Sequence, residues 1–327
     1  MSTKIKILKR KLLHNNFVFI DGIAKSGKIV TSSIISSLKN CENQSFSSER
    51  FNNYVEFKNL KLLDEDLTID LILQDMQILM IENELSRFLN FRKYDLSSVN
   101  NSQKKKQYYK NLKVKDNPAE IKKIIKKLKK NKSVIPLVVD NFFFNCSGKL
   151  SHFYNFKKII MLRNPLSILY ENLVRNRVES KIKGHYWQTF FHYKKNNRKI
   201  PWFVKPKNID KFFSASRLEK YLMFVESEYS PYLDKKMFKI QKTLFLFIED
   251  MWRNPNHAVN LISNFLKTKK TKFTKVILKR LDLPRSGVED NYKKQFDYLK
   301  NKLSHSDFNK ILKLEKKYFK VKSNYGF

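Results

Sequence analysis

The segment with the clearest chemical potential is the run Gly-Ile-Ala-Lys-Ser-Gly-Lys at residues 22–28. It fits the pattern GxxxxGK, which is the spacing of a loop that binds phosphate. In such a loop, backbone N–H groups and the start of a helix surround phosphate oxygens, and a lysine adds positive charge. The sequence therefore predicts that a phosphorylated group binds here. The candidate binding residues are Gly22, Lys25, Ser26, Gly27, Lys28 and Ile29.

The residue type at position 29 restricts the chemistry of this loop. It is isoleucine, whereas a nucleoside triphosphatase uses serine or threonine there to hold Mg²⁺. The sequence therefore favours phosphate binding over metal-assisted phosphoryl transfer. A glycine-containing turn that binds no ligand is the alternative interpretation.

The elements on either side must position the loop. Residues 17–21 form a short apolar run of strand-forming residues before it. After it, Val30, Ile34, Ile35 and Leu38 recur at helical spacing. The order of strand, tight loop and helix is the context that a phosphate-binding motif requires.

Three further apolar runs of strand length lie at residues 134–139, 158–162 and 244–248. The first leads to Asp140, the second to Arg163, and the third to Glu249 and Asp250. Helical patterns alternate with these strands, and one of them begins at Pro165. Such alternation predicts an α/β fold with a mostly parallel sheet covered on both faces.

These features together resemble those of one enzyme family. Lys25-Ser26-Gly27 behind a strand resembles the phosphosulfate-binding loop of sulfotransferases. A strand that ends in Arg-Asn-Pro before a helix, at residues 156–169, is similar to the second signature of that family, and residues 244–266 look like its third. The resemblance, nearest to the carbohydrate type, implies a three-layer α/β/α fold with a central parallel sheet, like that of P-loop nucleoside triphosphate hydrolases.

The resemblance also implies a donor and roles for individual residues. The donor would be 3′-phosphoadenosine 5′-phosphosulfate, with no metal required. Residues 25–28 would hold its 5′-phosphosulfate, and Lys25 would stabilise the charge that develops on the leaving oxygen. Arg163 would bind its 3′-phosphate, since a planar and permanently charged fork suits a dianion.

Three positions depart from the family pattern. Lys28 and Ile29 stand where the family has threonine, and Glu171 stands where it has a serine. A carboxylate at Glu171 would repel a phosphate if it faced the site. We expect Ser167, one helical turn earlier, to replace the missing serine.

The acceptor needs a general base, and Asp140 lies at a suitable strand end. His185 and His192 are the alternatives, and Asp140 is equally suited to capping the segment that follows it. Glu249 and Asp250 are expected to fix loops at their strand end.

Composition adds weaker constraints. Sixty-seven basic residues against 30 acidic ones give a formal charge of +37, which favours anionic partners, although a bias towards Lys, Asn, Ile and Phe would also produce it. The two cysteines, Cys41 and Cys146, imply neither a disulfide framework nor a metal site. No apolar run reaches the length of a membrane span, and we expect a cytoplasmic protein.

We expect a single domain over residues 1–327. An insert dense in aromatic and basic residues at 180–213 would face the acceptor, and residues 291–327 would form a helical tail. Residues 60–91 are predicted to be helical, and residues 100–113 to be an exposed loop or lid.

The leading functional hypothesis is transfer of a sulfuryl group to an acceptor hydroxyl or amine, on a glycan or another hydroxyl compound. A P-loop kinase or nucleotidase is the first alternative. A catalytically degenerate relative that binds polyanions is the second. Specific nucleic-acid binding is not expected, because basic charge and aromatic residues are present without a recognised module.

Overall fold

The computed structural model describes residues 11–46, 48–114, 117–179, 192–195, 197–234 and 237–325. A five-stranded parallel sheet forms its centre. Its strands are β1 (Phe17–Asp21), β2 (Ser45–Phe46), β3 (Ile135–Val138), β4 (Lys157–Leu162) and β7 (Thr243–Phe247), and their order across the sheet is β2-β3-β1-β4-β7. The predicted α/β class and parallel sheet are confirmed, and the strand that precedes the loop is central.

Helices cover both faces of this sheet. They are α1 (Lys28–Ser36), α2 (Ser48–Asn59), α3 (Glu65–Glu84), α4 (Lys105–Asn111), α5 (Pro118–Lys130), α6 (Phe142–Asn145), α7 (Pro165–Glu179), α8 (Ile209–Ser214), α9 (Arg217–Tyr229), α10 (Ile248–Arg253), α11 (Pro255–Leu266), α12 (Lys272–Arg280), α13 (Val288–Lys302) and α14 (His305–Tyr325). Of these helices, none is long and apolar enough to cross a bilayer.

The alternation of side chains along β1 explains the layering. Phe17 and Phe19 belong to a core cluster shared with α3, α7, α9 and α14. Val18 and Ile20 belong to the opposite cluster, which α1, α11 and α12 complete. Successive strand residues point to opposite faces, so an all-apolar strand must be covered on both sides.

Residues 100–113 differ from their prediction as an exposed loop or lid. They contain a short 3₁₀ turn, Val99–Asn101, and the helix α4. The Tyr108 hydroxyl is buried, where it donates to Glu42 Oε2 at 2.8 Å and accepts from the Asn43 N–H at 2.7 Å. The polar composition misled the prediction, because one aromatic residue anchors the segment to the body of the protein.

Two parts of the chain were predicted as additions to the domain, the insert at residues 180–213 and the helical tail at residues 291–327. Within the insert, β5 (His192–Lys195) and β6 (Arg198–Pro201) form an antiparallel hairpin, while residues 180–191 lie outside the described part. The C-terminal helices α13 and α14 begin at Val288, and Leu299, Ile311 and Tyr318 are buried in the core. They are therefore an integral part of the α/β body.

Candidate functional site

The loop at residues 22–27 joins the end of β1 to the start of α1. Its two glycines have positive φ angles, 142° at Gly22 and 102° at Gly27. A Cβ atom added at Gly27 would lie 2.5 Å from Ile248 Cδ1, and one at Gly22 would lie 2.5 Å from the Met161 carbonyl oxygen. Both positions therefore require glycine for conformation and for space.

Asp21 anchors the entrance to the loop. Its fully buried carboxylate accepts the N–H groups of Gly22 at 2.7 Å and Phe143 at 2.9 Å, and the Tyr232 hydroxyl at 3.0 Å. Burial raises the pKa of this carboxyl, and its hydrogen bonds act in the opposite direction. Asp21 thus fixes the backbone where the strand becomes the loop.

Lys28 points back into the loop. Its ammonium group donates to the carbonyl oxygens of Gly22 at 2.7 Å and Ile23 at 2.9 Å, and it forms an ion pair with Asp140. The side chain is buried, whereas that of Asp140 is 29 % exposed. This buried charge therefore stabilises the loop from within.

Ser26 and Ile29 offer fewer polar groups to a bound ligand than their positions in the motif suggest. Ser26 is fully buried, its N–H donates to the Ile23 carbonyl at 3.2 Å, and its Oγ finds no hydrogen-bond partner among the described residues. Ile29 lines the cavity above the loop but has no side-chain polar group. As part of the first turn of α1, Ile29 presents a backbone N–H that the helix itself does not use.

Arg163 meets the loop from the end of β4. Its Nη1 donates to the Lys25 carbonyl oxygen at 3.2 Å, so the structure brings together the two separate motifs found in the sequence. Nη2 lies 3.4 Å from Glu171 Oε1. Glu171 therefore faces the site, where it competes with any phosphate for Arg163.

Two site residues carried no sequence motif. Two arginines lie over the ring of Trp252, with Arg163 Cζ at 5.1 Å and Arg285 Cζ at 5.0 Å from its centroid. The backbone N–H of Arg285 donates to the backbone carbonyl of Trp252 at 2.8 Å. Burial, followed by the nearby charge of Arg163, lowers the pKa of Arg285, although Asp282 opposes this effect. Two guanidinium groups held beside one aromatic ring give this part of the site positive charge, which favours an anionic ligand.

Two cavities meet at this arrangement. One, of about 410 Å³, lies over the loop and is bordered by Lys25, Ile29 and Asp140. The other, of about 470 Å³, lies between α7, α10, α13 and α14. The residues that line both are Arg163, Glu171, Trp252 and Arg285. Their combined volume suits a ligand of nucleotide size.

Ser167 and Glu249 line the second cavity, whereas Asp250 lines neither of the two. Ser167 lines the second cavity with Arg163, and its hydroxyl donates to Gln295 Oε1 at 2.6 Å.

Glu249 accepts the Asn164 N–H at 2.8 Å and the Tyr318 hydroxyl at 2.7 Å, as expected of a residue that fixes a strand end. Asp250 pairs with Lys322 at 2.5 Å. The alternative base His185 lies outside the described residues.

No family model matches the chain, and no curated protein does. Solved structures give partial overlaps. The sulfotransferase domain of a Synechococcus olefin synthase is 11% identical over 83% of this chain and 80% of its own, with a TM-score of 0.39. A sulfotransferase from Alicyclobacillus acidocaldarius is 15% identical over 92% and 96%, with a TM-score of 0.35. One from Mycobacterium avium is 10% identical over 88% and 76%, with a TM-score of 0.37. The function of this chain must therefore rest on its own residues.

Proposed function

We propose that this chain is a sulfotransferase that moves a sulfuryl group from 3′-phosphoadenosine 5′-phosphosulfate to an acceptor hydroxyl or amine. The hydrogen bond from Arg163 to the Lys25 carbonyl is the observation that carries this proposal. It puts one guanidinium at the junction of the loop cavity and the cavity that Arg285 also borders. A nucleotide with anionic groups at both its 5′ and 3′ positions would use both cavities.

Unused N–H groups of the protein also support this choice of donor. The first-turn N–H groups of α1 border the loop cavity, where they can receive sulfate or phosphate oxygens. Arg163 Nε is buried and has no hydrogen-bond partner within the described part of the chain. An incoming phosphate would supply an acceptor there and would take Arg163 from Glu171.

Lys25 and Asp140 would have separate roles in the transfer step. The acceptor oxygen or nitrogen forms a bond to sulfur while the bond between sulfur and the phosphate oxygen breaks. Lys25 stabilises the negative charge on that leaving oxygen. Asp140 takes the acceptor's proton, and adenosine 3′,5′-bisphosphate departs. Because Asp140 is paired with Lys28, this ion pair keeps the base at the edge of the loop cavity.

Metal-assisted phosphoryl transfer is less well supported by the same loop. Ile29 provides no hydroxyl to hold Mg²⁺, and Lys28 already binds two loop carbonyl groups and Asp140. A kinase would need that lysine at the phosphates. The donor is therefore proposed to bind without a metal.

The acceptor is proposed to be a glycan. The half-buried ring of Trp202, next to the hairpin, packs edge-on against Phe203 and Phe224 at 5.3 Å and 6.2 Å. An aromatic ring held in this way can stack on a sugar through its face, while its indole N–H is hydrogen-bonded to Glu228. Transfer of radiolabelled sulfate to a panel of neutral, amino and acidic glycans would test this assignment, and transfer to none of them would contradict it.

The first test is calorimetric titration with adenosine 3′,5′-bisphosphate in the presence of a chelator. We expect metal-independent binding that weakens by at least tenfold in Arg163→Ala, because a charge-assisted bidentate contact is lost. Arg198→Ala is the matched control, since that arginine pairs with Asp210 at the surface. Binding of ATP with Mg²⁺ in place of the bisphosphate would assign the chain to the kinases, and binding of neither would indicate a degenerate scaffold.

A further inference from the structure

The C-terminal end of α9 and the turn after it, Ser230–Leu233, contact three strand ends of the site. The Tyr232 hydroxyl donates to Asp21 Oδ1 at 3.0 Å, at the end of β1. The Tyr229 hydroxyl donates to the Arg163 carbonyl at 2.6 Å, at the end of β4. Glu228 Oε2 accepts the side-chain amide of Asn141, just after β3.

These three contacts fix the parts of the site that the proposed reaction needs. β1 leads into the phosphate-binding loop, β3 into Asp140, and β4 into Arg163. All three side chains on the α9 side are buried. One helix end therefore sets the relative position of three strand ends, although none of its residues lines the two cavities described above.

Glu228 differs from the two tyrosines in its chemistry. Burial raises the pKa of both tyrosine hydroxyls well above its ordinary value, so they stay neutral. Burial also raises the pKa of Glu228, to about 7, while the Trp202 indole and the Asn141 amide oppose the rise by hydrogen bonding. Glu228 is thus the member of the three that changes charge near neutral pH.

The turn that Glu228 holds is conformationally demanding. Asn141 has a φ of 52°, in the left-handed region, and its amide contact with Glu228 fixes this conformation. The preceding residue, Asp140, pairs with Lys28, which in turn holds the carbonyl groups of Gly22 and Ile23. A continuous set of polar contacts therefore runs from Glu228 to the phosphate-binding loop.

We propose that Glu228 is a positioning residue, whose carboxylate holds the Asp140–Asn141 turn against Lys28 and so keeps the loop and the base in the geometry for transfer. The effect on transfer rests on the proposed function, whereas the effect on loop geometry does not. The groups that face Glu228 are Glu56 of α2, Asp140, Tyr232 and the Trp202 indole.

The direction of the pH effect follows from these neighbours. Above pH 7, the ionised carboxylate accepts charge-assisted hydrogen bonds from Asn141 and Trp202, which hold the turn. Below pH 7, protonation removes that charge and weakens both bonds. Binding of adenosine 3′,5′-bisphosphate should therefore tighten between pH 6 and pH 8 by about tenfold more than ionisation of the ligand alone would cause.

The variant Glu228→Gln keeps the shape of the side chain and removes its charge. We expect it to match the wild-type affinity at pH 6 and to lack the additional gain at pH 8. Glu226→Gln is the matched control, because Glu226 lies on the same helix and its pKa is also raised by burial, but the charges around it are Lys310, Lys211 and Asp307. Parallel pH profiles for the wild type and Glu228→Gln would overturn the proposal.

A second measurement needs neither the nucleotide nor the variant. In ¹⁵N-labelled wild-type protein, the signals of the Trp202 indole and of the Gly22 and Gly27 amides should shift together, with a common midpoint near pH 7. Glycine signals that do not follow the Trp202 titration would overturn the proposal, whether or not the bisphosphate binds. If these signals move together but no bisphosphate binds, the positioning contact stands and the proposed function fails.

Discussion

At the residue scale, the loop carries two lysines that the sequence does not distinguish. Both stand within GxxxxGK, and both were predicted to bind the phosphorylated group. In the structure, Lys28 is buried against two carbonyl groups and Asp140. Lys25 is half-buried at the edge of the loop cavity, with a φ of 71°. Lys28 thus has a structural role, and Lys25 is the lysine for which we propose the catalytic role.

This division predicts opposite effects for two substitutions. Lys25→Ala should abolish sulfuryl transfer while changing the free energy of unfolding by no more than about 0.5 kcal/mol, as is usual for a residue outside the core. Lys28→Met should lower that free energy by about 2 kcal/mol, because it leaves Asp140 and two buried carbonyl groups without their donor. Denaturant unfolding and a transfer assay on both variants would measure this.

Near-normal transfer in Lys25→Ala would refute its assigned role. An unchanged stability of Lys28→Met would show that water replaces its contacts.

At the element scale, the junction between β1 and α1 depends on close packing against α10. Gly27 has the positive φ of a left-handed residue, and its Cα faces Ile248. Gly287, which precedes α13, also has a positive φ of 67°, but apart from its chain neighbours no atom lies within 4 Å of a Cβ built there. A comparison of substitutions at these two glycines therefore distinguishes the cost of backbone strain from the cost of steric overlap.

We predict that Gly27→Ala lowers the free energy of unfolding by about 3 kcal/mol, because it combines left-handed strain with overlap on Ile248. Gly287→Ala should cost about 1 kcal/mol, from strain alone. Chemical denaturation of both variants would provide the comparison. Equal losses would mean that α10 shifts freely, and the loop would then not be held as described.

Element positions were predicted from the sequence more successfully than element roles. The strands before the loop and before Arg163 were confirmed, because apolar runs and the Arg-Asn-Pro break are local signals. Helix α9 drew no functional prediction, yet Glu228, Tyr229 and Tyr232 hold three strand ends. Its role arises only when distant parts of the chain come together.

At the scale of the whole molecule, the formal charge of +37 opposes compaction. We predict that raising NaCl from 10 mM to 300 mM raises the melting temperature by a few degrees, since salt screens repulsion among like charges. Thermal unfolding at several salt concentrations would test this, with choline chloride as a control for a specific effect of sodium. A melting temperature that falls with salt would show that ion pairs outweigh the repulsion.

The sequence by itself determined the α/β class, the glycine-containing loop between β1 and α1, and the position of Arg163 at a strand end. Each depends on residues that are close along the chain, where spacing and periodicity are informative. Only the tertiary structure decided that Lys28 turns inward, that Glu171 pairs with Arg163, and that Trp252 and Arg285 complete the site. These outcomes depend on which side chains meet across the fold and on how burial changes their charge, which no local pattern specifies.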